Sequence, residues 1–348
     1  MSLRAAIVGC GRIGCGFDED FKRTYVSTHA RAYLSVPGIE LAALCDSDDA
    51  KLQKYAARFG VPKQYTNYEG MFRNEKLDVV SVCTPGISHL DIIRAALDSG
   101  VRGIFCEKPI ADSLEAAGEI VTLSVSRNVP ILIGHQRRFD PMHQQLSRFV
   151  RDDGLGRVQQ VTCYYTAGVA NTGSHLFDLL RLYLGDCVWA EGRLNTSAPS
   201  NPDDPNIDGW LGFAGGTTVA IQGCDVSAYT IFEIVLMGTK GRLRISSHGF
   251  KAEFEEARES VRYSGYRELF AAPLPVQGEF SLNLLPMGVS HLVSCMHSGA
   301  HPTSSAEDGR AALEIICALR QSALGRGKRI ILPSASCVLS EGAHLRSI

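Results

Sequence analysis

Three residues have the type and setting for proton and hydride chemistry: Lys108, Asn171 and His175. Lys108 follows the apolar run 103–106, and an ammonium at the carboxyl end of a buried strand can hydrogen-bond a hydroxyl or stabilise an alkoxide. The plainer alternative is a surface lysine paired with Glu107. His175 opens an apolar stretch (Leu176, Phe177, Leu179, Leu180) after a turn containing Gly173. An imidazole with a pKa of about 6.5 suits removal of a hydroxyl proton at neutral pH, although a lone histidine is more often structural. Asn171 precedes His175 by four residues, so both side chains share a helix face if the first turn reaches back that far.

Oxidising a carbinol also needs an acceptor for the hydride, and the sequence carries a fingerprint for one. Ile7-Val8-Gly9-Cys10-Gly11-Arg12-Ile13-Gly14 reads as a buried strand followed by G-x-G-x-x-G. Gly9 allows the tight turn, Gly11 lets backbone approach a pyrophosphate, and Gly14 allows close helix–strand contact. Arg12 and Ile13 lie where a helix start offers unpaired N–H groups to phosphates. Asp46 closes the apolar run 39–45, where a carboxylate can accept from both ribose hydroxyls and repel a 2′-phosphate. With Ser47 and Asp48 beside it, the pattern favours NAD over NADP. As an alternative, Asp46 or Asp48 caps the next helix. One feature departs from the fingerprint: Asp46 lies 32 residues past Gly14 instead of about 20. Residues 15–27 are read as an inserted loop, near the cofactor or the active-site mouth, or else a surface loop without function.

Strands at 5–8, 39–45, 78–83, 103–106 and 130–134 alternate with helices at 28–34, 48–59, 68–74, 89–99 and from Ser113 onward. That alternation predicts an α/β fold with a doubly wound parallel sheet. Ligands of such sheets bind at the carboxyl ends of the strands. This places Thr84, Pro85 and His89, and then Glu107-Lys108-Pro109 with a cis Lys108–Pro109 bond, at the cofactor. Beyond Gly134 the pattern changes. A linking helix at 137–151 is followed by short strands at 158–165, 210–213, 217–223, 232–237 and 241–245, an antiparallel pattern. Residues 195–208 read as a loop, and 306–324 as an amphipathic helix. The expected domains are 1–134, a Rossmann dinucleotide-binding domain, and 135–348, an α+β domain for substrate and oligomerisation. Arg137 and Arg138 are candidates for acidic substrate groups, or plain linker arginines.

The composition is 45% hydrophobic and 21% charged with a net charge of −2, which offers no electrostatic case for nucleic acid or anionic membrane. No run of 18 apolar residues is present, so no membrane span is expected. The first strand begins near residue 4, leaving no room for a signal peptide. Eleven scattered cysteines without C-x-x-C pairs suit a reducing compartment, with neither disulfides nor a metal site. The expected location is the cytoplasm.

Taken in order, Gly9/Gly11/Gly14, Cys83-Thr84-Pro85 with His89, Glu107-Lys108-Pro109, Gly173-Ser174-His175-Leu176-Phe177-Asp178 and Glu307-Asp308-Gly309-Arg310 resemble the Gfo/Idh/MocA oxidoreductases. The resemblance implies a Rossmann domain followed by a domain with a large open antiparallel sheet. It also implies NAD(P)-dependent hydride transfer at a secondary alcohol or ketone of a sugar, cyclitol or nucleotide sugar, bound in a cleft between the domains. Lys108 and His175 become the catalytic pair. Asn171 stands where the family usually has aspartate, and because asparagine cannot accept a proton it can only orient a hydroxyl through its amide. Some relatives acting on nucleotide-linked sugars share an asparagine there, which tilts the substrate toward that class. The family's sheets pack face to face, implying a homodimer or homotetramer. Two rival readings remain: a non-catalytic NAD(P)-binding sensor, and a glycosidase using bound NAD in a transient redox cycle.

Overall fold

A computed structural model describes residues 2–198 and 201–333. The chain forms two compact units. One takes the chain up to Phe139 together with Leu282–Arg310, and the other takes Asp140–Ser281 and the chain from Ala311. The return of 282–310 to the first unit is not visible in the sequence.

The first unit holds a six-stranded parallel sheet of β1 (Leu3–Val8), β2 (Ile39–Cys45), β3 (Lys63–Tyr65), β4 (Val79–Val82), β5 (Gly103–Cys106) and β6 (Ile131–Ile133). Their spatial order is β3-β2-β1-β4-β5-β6. The order reverses between β1 and β4, which pair from Ala5↔Val79 to Val8↔Val82, and a ligand crevice forms at the carboxyl ends of such a switch point. Helices cover the sheet, so Ala5, Ile7, Val79, Val80, Ile104 and Phe105 have no exposure, which explains their near-continuous apolar sequence. Burying each larger side chain contributes about 1.5–3 kcal/mol.

The connecting helices are α1 (His29–Ser35), α2 (Asp49–Phe59), α3 (Tyr68–Asn74), α4 (His89–Asp98) and α5 (Leu114–Arg127). Thr28, Asp48, Asn67 and Ser113 cap four of them by accepting the N–H three residues on, each worth about 1 kcal/mol.

The insertion interrupts a helix. The N–H groups of His29 and Ala30 donate to the carbonyls of Ile13 (3.1 Å) and Gly14 (3.0 Å), the bonds expected if α1 continued directly from the glycine turn. His29 thus takes the place four after Ile13, which makes 12 residues excess, and without them Asp46 lies about 20 residues past Gly14, so the odd spacing disappears. The excursion is held locally. Phe17 lies between the guanidinium groups of Arg12 (4.7 Å) and Arg23 (3.9 Å), and Asp18 accepts from Ser27 (3.0 Å) and Thr28 (2.6 Å).

A helix the sequence pattern did not suggest, α8 (Leu284–Ser298), sends Leu285, Val289 and Leu292 into the same core as Phe105 and Phe139. A Cβ on Gly288 would stand 2.7 Å from the Phe139 ring, so the close approach requires glycine.

The second unit is a nine-stranded sheet with helices over its core face. Its strands are β7 (Val158–Thr166), β8 (Cys187–Leu194), β9 (Ile207–Phe213), β10 (Thr218–Cys224), β11 (Phe232–Gly238), β12 (Gly241–Ser246), β13 (Lys251–Glu259), β14 (Arg267–Ala272) and β15 (Ile330–Ile331). The order is β14-β13-β12-β11-β7-β10-β9-β8-β15. All pairs are antiparallel except β7 with β10, so the expected large antiparallel sheet contains one parallel pair. Its helices are α6 (Pro141–Arg151), α7 (Gly173–Leu184) and α9 (Ala306–Leu324), and α9, expected to be amphipathic, is buried on all sides over Ala312–Leu319. Phe177 and Leu180 of α7 and Ile316 and Leu319 of α9 join Val161, Ile221, Ile234 and Leu243 in its core. The expected helix over 137–151 is broken at Asp140, which caps α6 at Pro141.

Candidate active site

The glycine turn is built as its residue types require. Gly9 has φ 100°, and a Cβ there would lie 2.7 Å from the Cys83 backbone. A Cβ on Gly14 would lie 2.1 Å from the Gly9 carbonyl oxygen. Gly11 differs: its Cβ would meet no protein atom within 4 Å. The missing Cβ therefore serves something other than the protein's own packing, as expected where backbone must approach a pyrophosphate.

Asp46 stands at the end of β2 with both carboxylate oxygens engaged by backbone. Oδ2 accepts from the Cys10 N–H (2.7 Å) and Oδ1 from the Asp48 N–H (2.9 Å). Each oxygen keeps a second lone pair for a ribose hydroxyl. A cleft of about 500 Å³ is lined by Gly9, Gly11, Asp46, Thr84, Pro85 and Ser88, among others. These residues fit a dinucleotide. Lys51 also lines this cleft, but its ammonium is paired with Asp48 at 2.9 Å.

At the carboxyl end of β5, Lys108 is half-buried and its bond to Pro109 is cis, as expected. Its backbone N–H donates to Glu107 Oε2 (3.3 Å). The Glu107 Oε1 atom lies 3.0 Å from His29 Nε2, and His29 Nδ1 lies 2.8 Å from the Ser81 hydroxyl, which Tyr33 also contacts at 2.7 Å. Burial pushes the Glu107 carboxyl up. The hydrogen bond and charge of His29, with Lys108 adjoining, outweigh this and hold it below the usual glutamate range.

His89 is 1% exposed, with ring nitrogens 2.7 Å from the Thr84 carbonyl and 3.1 Å from the Ile110 carbonyl. Burial depresses its pKa against the two carbonyl contacts that favour protonation. It ties the Thr84 loop to the segment just past Pro109. His89 and Glu107 thus lie behind the loops that carry Thr84 and Lys108. Nothing in the sequence distinguishes such supports from residues facing a ligand.

In the second unit, Asn171 is exposed on a π-helical turn, Gly168–Thr172, that runs directly into α7. The winding reaches back past Asn171, which is the condition for it to share a face with the half-buried His175. Arg138 is 7% exposed and bonded to Asp308 (3.2 Å).

A glycine turn at the switch point of a parallel sheet, with an aspartate closing β2, marks a dinucleotide-binding domain. Residues 3–135 match the model of an oxidoreductase family with an NAD-binding Rossmann fold, and 167–244 match the C-terminal domain of the same family. The chain belongs to the Gfo/Idh/MocA oxidoreductase family. It is 28% identical to a D-apiose dehydrogenase from Paraburkholderia graminis, over 89% of this chain and 86% of that protein. It is also 28% identical to an inositol 2-dehydrogenase from Pseudarthrobacter chlorophenolicus, over 59% of this chain and 62% of that one. The fold resembles the WlbA dehydrogenase of Bordetella pertussis, solved with NADH and UDP-GlcNAcA, at TM-score 0.75 and 20% identity over 96% and 100% of the two chains.

Proposed function

We propose that the protein oxidises a carbinol of a free sugar or cyclitol. NAD, when bound, supplies the hydride acceptor. Lys108 holds the reacting hydroxyl, His175 takes its proton and Asn171 orients it through its amide. Gly9, Gly11, Arg12, Ile13 and Gly14 receive the pyrophosphate, Asp46 the ribose hydroxyls, and Thr84 and Pro85 border the cofactor. His89 and Glu107 act through the loops they anchor. The observation that carries this reading is the Lys108 turn, braced by His29 through Glu107 and by His89 through Ile110, on the sheet edge that carries the glycine loop. A free polyol is favoured over a nucleotide-linked sugar because the D-apiose dehydrogenase aligns over most of both chains.

The test is NADH formation with a panel of aldoses, cyclitols and UDP-linked sugars, run with NAD and with NADP. Net NADH is expected with a free polyol, and NADP should give a kcat/KM at least about tenfold lower. Equal or better turnover with NADP would remove Asp46 from its role. An absence of net reduced cofactor on every compound would favour the sensor or the redox-cycling hydrolase.

The uncovered sheet face suggests self-association. Trp210, Ala220, Thr162, Val235, Arg244 and Glu253 form one row of directly paired residues across β9, β10, β7, β11, β12 and β13. Trp210 is 45% exposed, and beside Val235 the row carries the ion pair Arg244–Glu233 (2.8 Å). We expect a second copy to cover this face, giving a dimer or tetramer mass by light scattering at micromolar concentration; a monomer mass alone would refute it. Among the described residues no helix is long and apolar enough to cross a membrane, and eight of the ten described cysteines are buried thiols. Burial pushes Cys45 up to about 12. Inert thiols of this kind support a reducing, cytoplasmic setting.

A further inference from the structure

The π-helical turn that carries Asn171 and leads to His175 is held from outside its own helix. A helix start leaves its first N–H groups without partners inside the helix. Here four consecutive ones are met by three consecutive residues of the loop before β9. The Gly168 N–H donates to Asn206 Oδ1 (3.0 Å) and the Val169 N–H to the Pro205 carbonyl (3.1 Å). The N–H groups of Ala170 and Asn171 donate to Asp204 Oδ1 and Oδ2, each at 2.8 Å. One carboxylate thus grips two successive amides, a charge-assisted arrangement stronger than neutral pairing. Asp204 is itself anchored by Arg320 of α9, which donates to Oδ1 and to the Asp203 carbonyl at 3.1 Å each.

Gly168 is shaped to this contact. It has φ 93°, and a Cβ there would come within 2.1 Å of Asp204 Oδ2. π-Turns are rare and concentrate at functional sites, because the extra residue re-aims the side chains that follow.

We propose that Asp204, seated by Arg320, is a positioning residue that sets the backbone of Asn171 and, through the continuous helical winding, the aim of His175. The chain has asparagine at 171 where its family pattern has aspartate. It brings a carboxylate to the amide of that same residue from a separate loop. This inference rests on the proposed roles of Asn171 and His175.

The test compares the full-length wild type with Asp204→Asn and Asp204→Ala, and with Arg320→Met as a milder variant. Amide hydrogen exchange at Ala170 and Asn171 should quicken by at least about tenfold in the Asp204 variants, and less in Arg320→Met. On a polyol that wild type oxidises, kcat should fall about 10–100-fold, the size of effect produced by a misplacement of about 1 Å. The polyol KM should stay within about threefold and NAD affinity should not change. Unchanged exchange at these amides, or an unchanged kcat, overturns the proposal. So does a loss of activity that only matches the loss of NAD-binding protein, since that assigns Asp204 to folding alone. If wild type oxidises no polyol, it is the dehydrogenase reading that has failed. Amide exchange and the His175 ring signals by NMR, expected to move in Asp204→Asn, then decide the positioning claim by themselves.

Discussion

His175→Ala is expected to lower kcat by about 10²–10⁴-fold, the usual loss on removing a general base, with NAD bound as tightly as before. The expectation follows from placement. His175 lies in the first turn of α7, whose apolar side chains Leu176, Phe177, Leu179 and Leu180 are fully buried, and is itself half-buried. The cofactor cleft is lined by residues of the first unit alone, and losing an imidazole from the second should leave its affinity intact. Lys108→Ala should slow turnover by about 10²–10³-fold, as for loss of one donor to a developing oxyanion, and should raise KM for the polyol as well. Asn171→Asp adds a negative charge one turn from His175. It should raise the histidine's pKa and move the rising limb of the pH–rate profile to higher pH. Near-wild-type turnover by His175→Ala would remove the proposed base.

Gly11→Ala and Gly14→Ala should part company. Gly14→Ala drives a Cβ to within 2.1 Å of the Gly9 carbonyl oxygen, in a turn whose backbone is fixed by β1 and α1. Such overpacking costs about 1–3 kcal/mol or more, so the melting temperature should fall by several degrees and NAD binding with it. At Gly11 the added methyl meets no protein atom within 4 Å, and the melting temperature should stay the same. The methyl instead takes the space a pyrophosphate must enter, and NAD affinity should drop by about 100-fold, or ~2.7 kcal/mol. Calorimetric titration and thermal melts of the two variants would show the split. A Gly11→Ala protein that binds NAD normally would mean that the cofactor does not lie on this turn.

How much of this was legible in the sequence depended on where each element sits. β1, β2, β4 and β5 were readable because both faces are covered and the apolar run is unbroken. β14 was missed at the sheet edge, and β13 beside it because Lys251, Glu253, Glu255 and Arg258 mask the alternation. β8 went unread because only Ala190 and Gly192 are fully buried in it, and both are small, and β3 because it has only three residues. α8 is apolar, but its membership of the first unit is a tertiary fact that no local signal carries. The insertion was read at 15–27, but the amides of Cys15, Gly16 and Phe17 still bond back to Gly11 and Arg12, so the excursion begins after them. Its splice into the first turn of a helix appears only in the bonds from His29 and Ala30 back to Ile13 and Gly14. Gly9 and Gly11 follow β1, Asp46 closes β2 and Lys108 follows β5, the places in the fold that the sequence pattern predicted for them. His29, Asp204 and Arg320 had no signal, because they act through other residues and belong to no motif. The loop at 195–208 looked like punctuation, and three of its residues cap the turn that holds Asn171.

Direct transfer of hydride from substrate carbon to NAD is tested most directly with a polyol deuterated at the carbinol carbon that the panel shows to be oxidised. Mass spectrometry of the reduced cofactor should find one deuterium per NADH, and the oxidised product should lack it. NADH free of deuterium would contradict direct hydride transfer, and conversion of the polyol with no net NADH would contradict net oxidation by this protein.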